Sequence, residues 1–280
     1  MDNNNEDKRL AVLIDADNIS YHYIKGMMEE VARYGTPTIK RIYGDWTKPN
    51  LGGWKTILLD YAISPIQQFN YTTGKNATDS AMTIDAMDIL YTENVDAFCL
   101  VSSDSDFTKL ATRLRESGKT VYGIGEQKTP TPFIAACDRF IFLEILDEDD
   151  DENIDHNSNE HDVENKSKVQ KSSKAEPSKP VPQKRAIQNI NKKTIRLISQ
   201  TIKDVEDENG WAYLAEVGNL IVKKQPSFDA RNYGFNKLSH MFETMDDFEI
   251  DAREAGTGSP NSKHYYVRVK NNKKKRTTHF

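Results

Sequence analysis

The chain has 280 residues, of which 37% are hydrophobic, with 38 Lys and Arg against 43 Asp and Glu for a formal net charge of −5. That length exceeds an ordinary single domain and suits two domains with a connector. A mean hydropathy of −0.72 excludes one continuously packed globule and implies that the apolar residues are concentrated in parts of the chain.

Only Cys99 and Cys137 are present and both lie in apolar surroundings, so the pair reads as reduced core thiols rather than a disulfide framework. Met1 to Arg9 is polar and acidic, unlike a signal peptide. No apolar run approaches the roughly 20 residues needed to cross a bilayer. The expectation is a soluble, cytoplasmic protein that does not enter a membrane.

In chain order, Leu10-Ala-Val-Leu-Ile14 is a continuous apolar run ending in Asp15, the pattern of a strand buried on both faces. A helix is expected over 20–34, closed by Gly35, then a strand over 38–43. A helix over 54–62, a strand over 65–71 and a strongly helical stretch over 77–91 follow. Strands over 97–101, 120–124 and 140–145 alternate with a helix over 107–117 that Gly118 stops. This alternation predicts an α/β fold, a parallel sheet with helices on both faces, over 9–146.

Residues 147–189 open with the acidic block Asp147-Glu-Asp-Asp-Asp-Glu152 and then turn basic and Ser/Pro-rich, which reads as a disordered linker. Periodicity returns over 190–270. Ile195, Ile198, Ile202 and Val205 fall at helical spacing, helices are expected over 211–222 and 233–245, and 248–250 and 264–269 read as paired strands. Helices followed by a two-stranded ribbon predict a small α+β winged-helix domain. The tail, 271–280, is basic.

Four aspartates carry the chemistry. Asp15 ends the first strand, Asp104 and Asp106 follow the strand over 97–101, and Asp79 opens a helix. Ligands of open parallel sheets bind beyond the carboxyl ends of the strands, where the following helices also begin. Three chain segments therefore deliver carboxylates to one edge. Crowded carboxylates repel, and a hard divalent cation, Mg²⁺ or Mn²⁺, is the simplest compensation. Such a site can activate water and steady the departing oxygen of a phosphodiester. Asn18 could orient Asp15. At about 100° per residue Asp85 and Asp88 fall off the face of Asp79, as solvated or supporting groups.

At these residues the chain resembles the NYN family of PIN-like nucleases. The matching segments are Val12-Leu-Ile-Asp15 with Asn18, Lys75-Asn-Ala-Thr-Asp79-Ser-Ala-Met with Asp85, and Val101-Ser-Ser103-Asp104-Ser-Asp106-Phe107. Gly118-Lys-Thr-Val-Tyr-Gly-Ile-Gly125 and Cys137-Asp138 also fit, and the resemblance spans 9–146. It implies a Rossmann-like PIN fold and a Mg²⁺- or Mn²⁺-dependent ribonuclease. Asp15, Asp79, Asp104 and Asp106 would be the metal-binding, catalytic acids, supported by Asn18, Ser103, Lys75 and Asp85. Many PIN-like domains pair, so the resemblance is also consistent with a homodimer.

Residues 192–270 resemble the OST-HTH/LOTUS domain, an RNA-associated winged helix. The resemblance rests on Gly210-Trp211-Ala212, on Phe228-Asp229 leading to Tyr233-Gly-Phe-Asn-Lys237-Leu238, and on Phe248-Glu-Ile250 with His264-Tyr-Tyr-Val267. It implies RNA as a partner, or a protein recruited through this domain. Arg231, Lys237, Lys263 and Arg268, with the tail 273–276, are the candidate RNA contacts. Tyr233, Phe235, Tyr265 and Tyr266 read as core rather than as stacking platforms.

Two other readings stay open. Asp15-Ala-Asp17 after a buried strand is also the pattern of haloacid-dehalogenase phosphatases, in which a first Asp attacks phosphate and a second acts as acid and base. In a non-catalytic RNA-binding or scaffold protein the same acids would bind a structural ion or none.

Overall fold

The computed structural model describes residues 7–69, 77–146, 186–254 and 263–270. Lys75, the acidic block and most of the linker, the turn between the last two strands and the basic tail lie outside them.

The first domain is built on a six-stranded sheet in the order β3-β2-β1-β4-β5-β6, formed by β1 (Arg9–Asp15), β2 (Thr36–Gly44), β3 (Ser64–Gln67), β4 (Ala97–Val101), β5 (Thr120–Gly125) and β6 (Arg139–Phe142). Every pairing is parallel, and Ile14 faces Ile42 on one side and Val101 on the other. Because successive side chains of a strand point to opposite faces, β1 feeds two cores. Leu10, Val12 and Ile14 pack with α1 (Ile24–Val31) and Trp54. Ala11 and Leu13 pack with α2 (Ala77–Thr92), α3 (Thr108–Glu116) and α4 (Thr131–Ala136). Helices thus cover both faces, and the α/β expectation holds.

Differences from the sequence reading are local. The helix expected over 54–62 is a 3₁₀ turn over Pro49–Thr56, led by Pro49 and carrying Gly52-Gly53, with Trp54 buried as its anchor. The strand expected over 140–145 ends at Phe142 in a 3₁₀ turn, Leu143–Ile145. The first helix begins as a 3₁₀ turn, Tyr21–Tyr23, capped by the Ser20 hydroxyl.

The second domain contains α5 (Lys192–Val205), α6 (Leu214–Lys224), α7 (Leu238–Thr244) and a three-stranded antiparallel sheet in the order β7-β9-β8, with β7 Ala212–Tyr213, β8 Phe248–Glu254 and β9 Lys263–Val269. The Asn191 side chain caps α5 by accepting from Lys193 N (2.9 Å) and Thr194 N (3.0 Å). Ala212 and Tyr213, expected to open a helix, pair instead with Val267 and Tyr266. The helix expected over 233–245 is interrupted at Gly234, which caps the 3₁₀ turn Ala230–Tyr233 with φ 83°, and α7 starts only at Leu238.

The two domains touch at the sheet edge where the parallel strands begin. Arg231 Nη1 and Nη2 donate to Glu30 Oε2 (2.8 Å) and Oε1 (2.9 Å), a two-pronged contact between α1 and the second domain. Asp229 accepts from Arg231 Nη2 (2.9 Å) and from Arg139 Nη2 (3.0 Å) at the start of β6. Phe140 N donates to Pro226 O (2.9 Å). Ile187, expected to be linker, packs against both cores of the first domain, and Ile187 N and Gln188 N both donate to Asn232 O. Among the described residues no helix is long and apolar enough to cross a membrane.

Candidate active site

At the opposite edge, where the strands end, Asp15 closes β1 with its side chain fully buried. Its Oδ1 accepts from Asp17 N (3.1 Å). Its Oδ2 accepts from Asn18 Nδ2 (2.6 Å) and Ser102 Oγ (2.9 Å). Ser102, just past β4, also accepts from Asp104 N (3.1 Å), so one hydroxyl links the ends of two neighbouring strands. The end of β5 presses on the same point. A Cβ at Gly125 would come within 2.5 Å of Ser102 O, which only a glycine avoids. Asp104 caps the 3₁₀ turn Ser105–Phe107 by accepting from Asp106 N (3.0 Å).

Asp79 enters from the first turn of α2. The preceding Thr78 Oγ1 donates to Asp17 Oδ2 (2.9 Å), and Lys48 Nζ lies 3.3 Å from Asp17 Oδ1. One carboxylate oxygen from each of Asp79, Asp104 and Asp106 falls within 4.8 Å of the others, with Asp106 exposed and the other two partly buried.

Burial, then the negative charges of Asp15, Asp104, Asp106 and Asp17, push the Asp79 carboxyl up to about 7. Asp15 is also raised, because burial outweighs the hydrogen bonds from Asn18, Ser102 and the Asp17 amide. Three carboxylate oxygens this close, with the Asp79 proton held by burial and by the charge of its neighbours, fit a hard divalent cation, which would displace that proton and join the three groups.

Of the four expected acids, Asp79, Asp104 and Asp106 converge. Asp15 stands behind them, its charge felt at Asp79 while its oxygens are held by Asn18, Ser102 and the chain. Asn18 is where the sequence placed it. Ser103 instead accepts from Glu126 N (2.9 Å) and fixes the loop after β5. Asp85 pairs with Arg41 and Tyr43 of β2, tying α2 to the sheet. Ser102 and Lys48 carry no signal in the sequence, and Asp17 stands out there only in the phosphatase pattern. Ser102 and Ser103 are indistinguishable in composition, and only the strand pleat decides which meets Asp15.

The buried, fully engaged Asp15 also disfavours the phosphatase reading, which needs an accessible attacking carboxylate at that position.

Among the candidate RNA contacts, Arg231 is a correction. Its guanidinium is spent on Glu30 and Asp229 inside the domain contact. Lys237 precedes α7, Lys263 is exposed at the start of β9, and Arg268 lies over the Trp211 ring and pairs with Glu249. Tyr233 and Phe235 are core residues as expected, and Tyr265 packs against that core. Tyr266 lies on the other face of β9, away from the buried Val267.

The parallel sheet and its acidic edge define a PIN-like α/β domain. The family model for the NYN domain matches residues 9–144, and that for the OST-HTH/LOTUS domain matches residues 186–260. The chain therefore combines an NYN domain, of the PIN-like nuclease family, with an OST-HTH/LOTUS domain.

Among the solved structures similar to the chain is a protein of unknown function from Vibrio parahaemolyticus (22% identity, 50% of this chain and 94% of that one, TM-score 0.41). Another is an uncharacterized protein from Nitrosomonas europaea (27% identity, 36% of this chain and 92% of that one, TM-score 0.28). No curated protein matches the chain.

Proposed function

We propose that the protein is a metal-dependent ribonuclease that hydrolyses RNA phosphodiester bonds at Asp79, Asp104 and Asp106, with the second domain contributing RNA binding. The observation that carries this reading is the convergence of three carboxylate oxygens within 4.8 Å at the strand-end edge of an NYN domain.

In this reading Asp79, Asp104 and Asp106 hold Mg²⁺ or Mn²⁺. The ion supplies Lewis acidity toward a phosphate oxygen and lowers the pKa of an attacking water. Asp104 and Asp106 are held at a fixed spacing by the capped turn they share, so their oxygens need little reorganisation on binding. Asp15 adds negative charge from behind, and Asn18 and Ser102 fix its orientation. Asp17, tethered by Thr78 and Lys48, keeps the start of α2 against the loop after β1.

The test is cleavage of a labelled mixed RNA pool in Mn²⁺, Mg²⁺ or EDTA by wild type and Asp104→Asn. Cutting in metal alone, reduced at least about 100-fold in the variant, supports the reading, since a lost transition-state charge contact costs on that order. Metal-independent cutting, or equal rates in both proteins, sinks it. RNA binding without cutting would favour the adaptor reading.

A further inference from the structure

The solvent face of an antiparallel sheet is ordinarily polar. In the second domain that face is lined instead by rings and guanidinium planes. Val267 of β9 and Phe248 of β8 turn inward to the core. On the strands' other side, the Arg253 guanidinium lies 4.1 Å from the Tyr266 ring centre and 5.3 Å from that of Trp211. Arg268 lies 4.5 Å from Trp211.

Tyr213 of β7 extends the row. Its ring centre is 5.7 Å from Tyr266 and 5.6 Å from His264, and its hydroxyl meets His264 Nδ1 at 3.1 Å. Tyr213, His264 and Arg253 are exposed. None of these six side chains is needed to fill the core beneath.

We propose that this row of rings and guanidinium groups is a stacking platform for unpaired nucleobases, so that the protein takes single-stranded RNA. The proposal rests on the reading of RNA as substrate and specifies its form. The rings are tilted to one another by 48° and 59°, and such solvent-side rings and guanidinium groups suit bases, which stack on aromatic rings and arginine planes alike without regard to sequence. Asp251 and Glu249 hold Arg253 and Arg268 in place at 2.9 and 2.7 Å, so the planes are set before a base arrives. A duplex keeps its bases stacked on one another and offers the platform nothing.

The test uses the full chain in EDTA, where metal-dependent hydrolysis is silent, with fluorescence anisotropy of labelled 12-nucleotide strands and quenching of intrinsic tryptophan emission. Oligouridine and oligoadenosine are expected to bind at least about tenfold tighter than an abasic strand of equal length or an RNA duplex, given the contribution of each stacked base. Tyr213→Leu and His264→Gln are each expected to weaken single-strand binding several-fold. Arg253→Lys, which keeps the charge and removes the plane, is expected to weaken it as well.

Equal affinity for the abasic strand, or wild-type affinity in Arg253→Lys and His264→Gln together, overturns the platform while leaving the nuclease reading standing. An Asp104→Asn protein that binds normally but cuts nothing separates the two claims in the other direction. No binding to any RNA would remove both.

Discussion

The two edges of the parallel sheet treat buried acid in opposite ways. Asp79 at one edge, and Glu30 with the Asp229 that docks beside it at the other, all lose hydration, which by itself raises a carboxyl pKa. Asp79 is raised further by the carboxylates around it. For Glu30 and Asp229 burial is outweighed by hydrogen bonds and charge from Arg231, and both fall below the ordinary carboxylate range. The same desolvation thus accompanies a self-repelling acidic cluster where the neighbours are negative and a cemented contact where they are positive. The neighbours, rather than the depth of burial, distinguish a centre able to recruit an ion from an ion pair that is already complete.

The largest test of that contrast is Arg231→Met. It leaves the buried Glu30 with only the exposed Arg33 and the Tyr34 hydroxyl as partners and is expected to cost up to about 3–5 kcal/mol of stability in urea unfolding. Glu30→Met combined with Arg231→Met should recover most of it, because Asp229 keeps Arg139. A single-variant loss near zero would mean that the docking edge is solvated and that the contrast fails.

The pH dependence sharpens the contrast. A carboxyl raised to about 7 holds a proton in the folded state that the unfolded chain, titrating near 4, has already released. Its contribution to stability therefore falls as pH rises from about 4 through about 7. Glu30 and Asp229 have the opposite sign. Their stabilisation is present above the unfolded carboxylate pKa and is lost as pH falls through their depressed values. In EDTA, Asp79→Asn should melt above wild type at pH 8, with the gap closing toward pH 4. Adding Mn²⁺ at pH 8 should reverse the ranking. Identical melting curves at pH 8 would show that Asp79 feels no crowding.

The smallest expected effect is at Ser102. Ser102→Ala removes a donor from a buried carboxylate and should cost about 1–3 kcal/mol in thermal or urea unfolding. A neutral result would mean that Asn18 and the Asp17 amide suffice to hold Asp15.

The sheet, its helices and the edge bearing the acids could be read from the sequence because buried parallel strands are continuous apolar runs, and strand ends locate an edge without further geometry. Side-chain direction within that edge could not. Asp15 sits at the right level but turns toward Ser102, and a run of two serines does not say which one faces inward. Arg231 looked like a surface cation because its partner Glu30 lies 201 positions away, beyond any local pattern. Ala212–Tyr213 looked helical because a two-residue strand shows almost no alternation, and only pairing with Val267 and Tyr266 defines it. The solvent-facing rings were misjudged for a related reason: Tyr265 and Tyr266 are adjacent, and the pleat sends one to the core and the other outward.

The bond from Phe140 N to Pro226 O has a consequence for the open edge of the parallel sheet. Strand β6 is the last in its sheet, and its outward amides are a template on which any extended chain could crystallise into further sheet. Pro226 of the second domain takes one of those amides. A chain synthesised from its N-terminus completes the sheet well before Pro226 exists, so for an interval β6 is bare and open to association with another newly made copy. The docking contact thus covers part of an open strand edge as well as tethering the domains, and the chain acquires that cover only late in its synthesis.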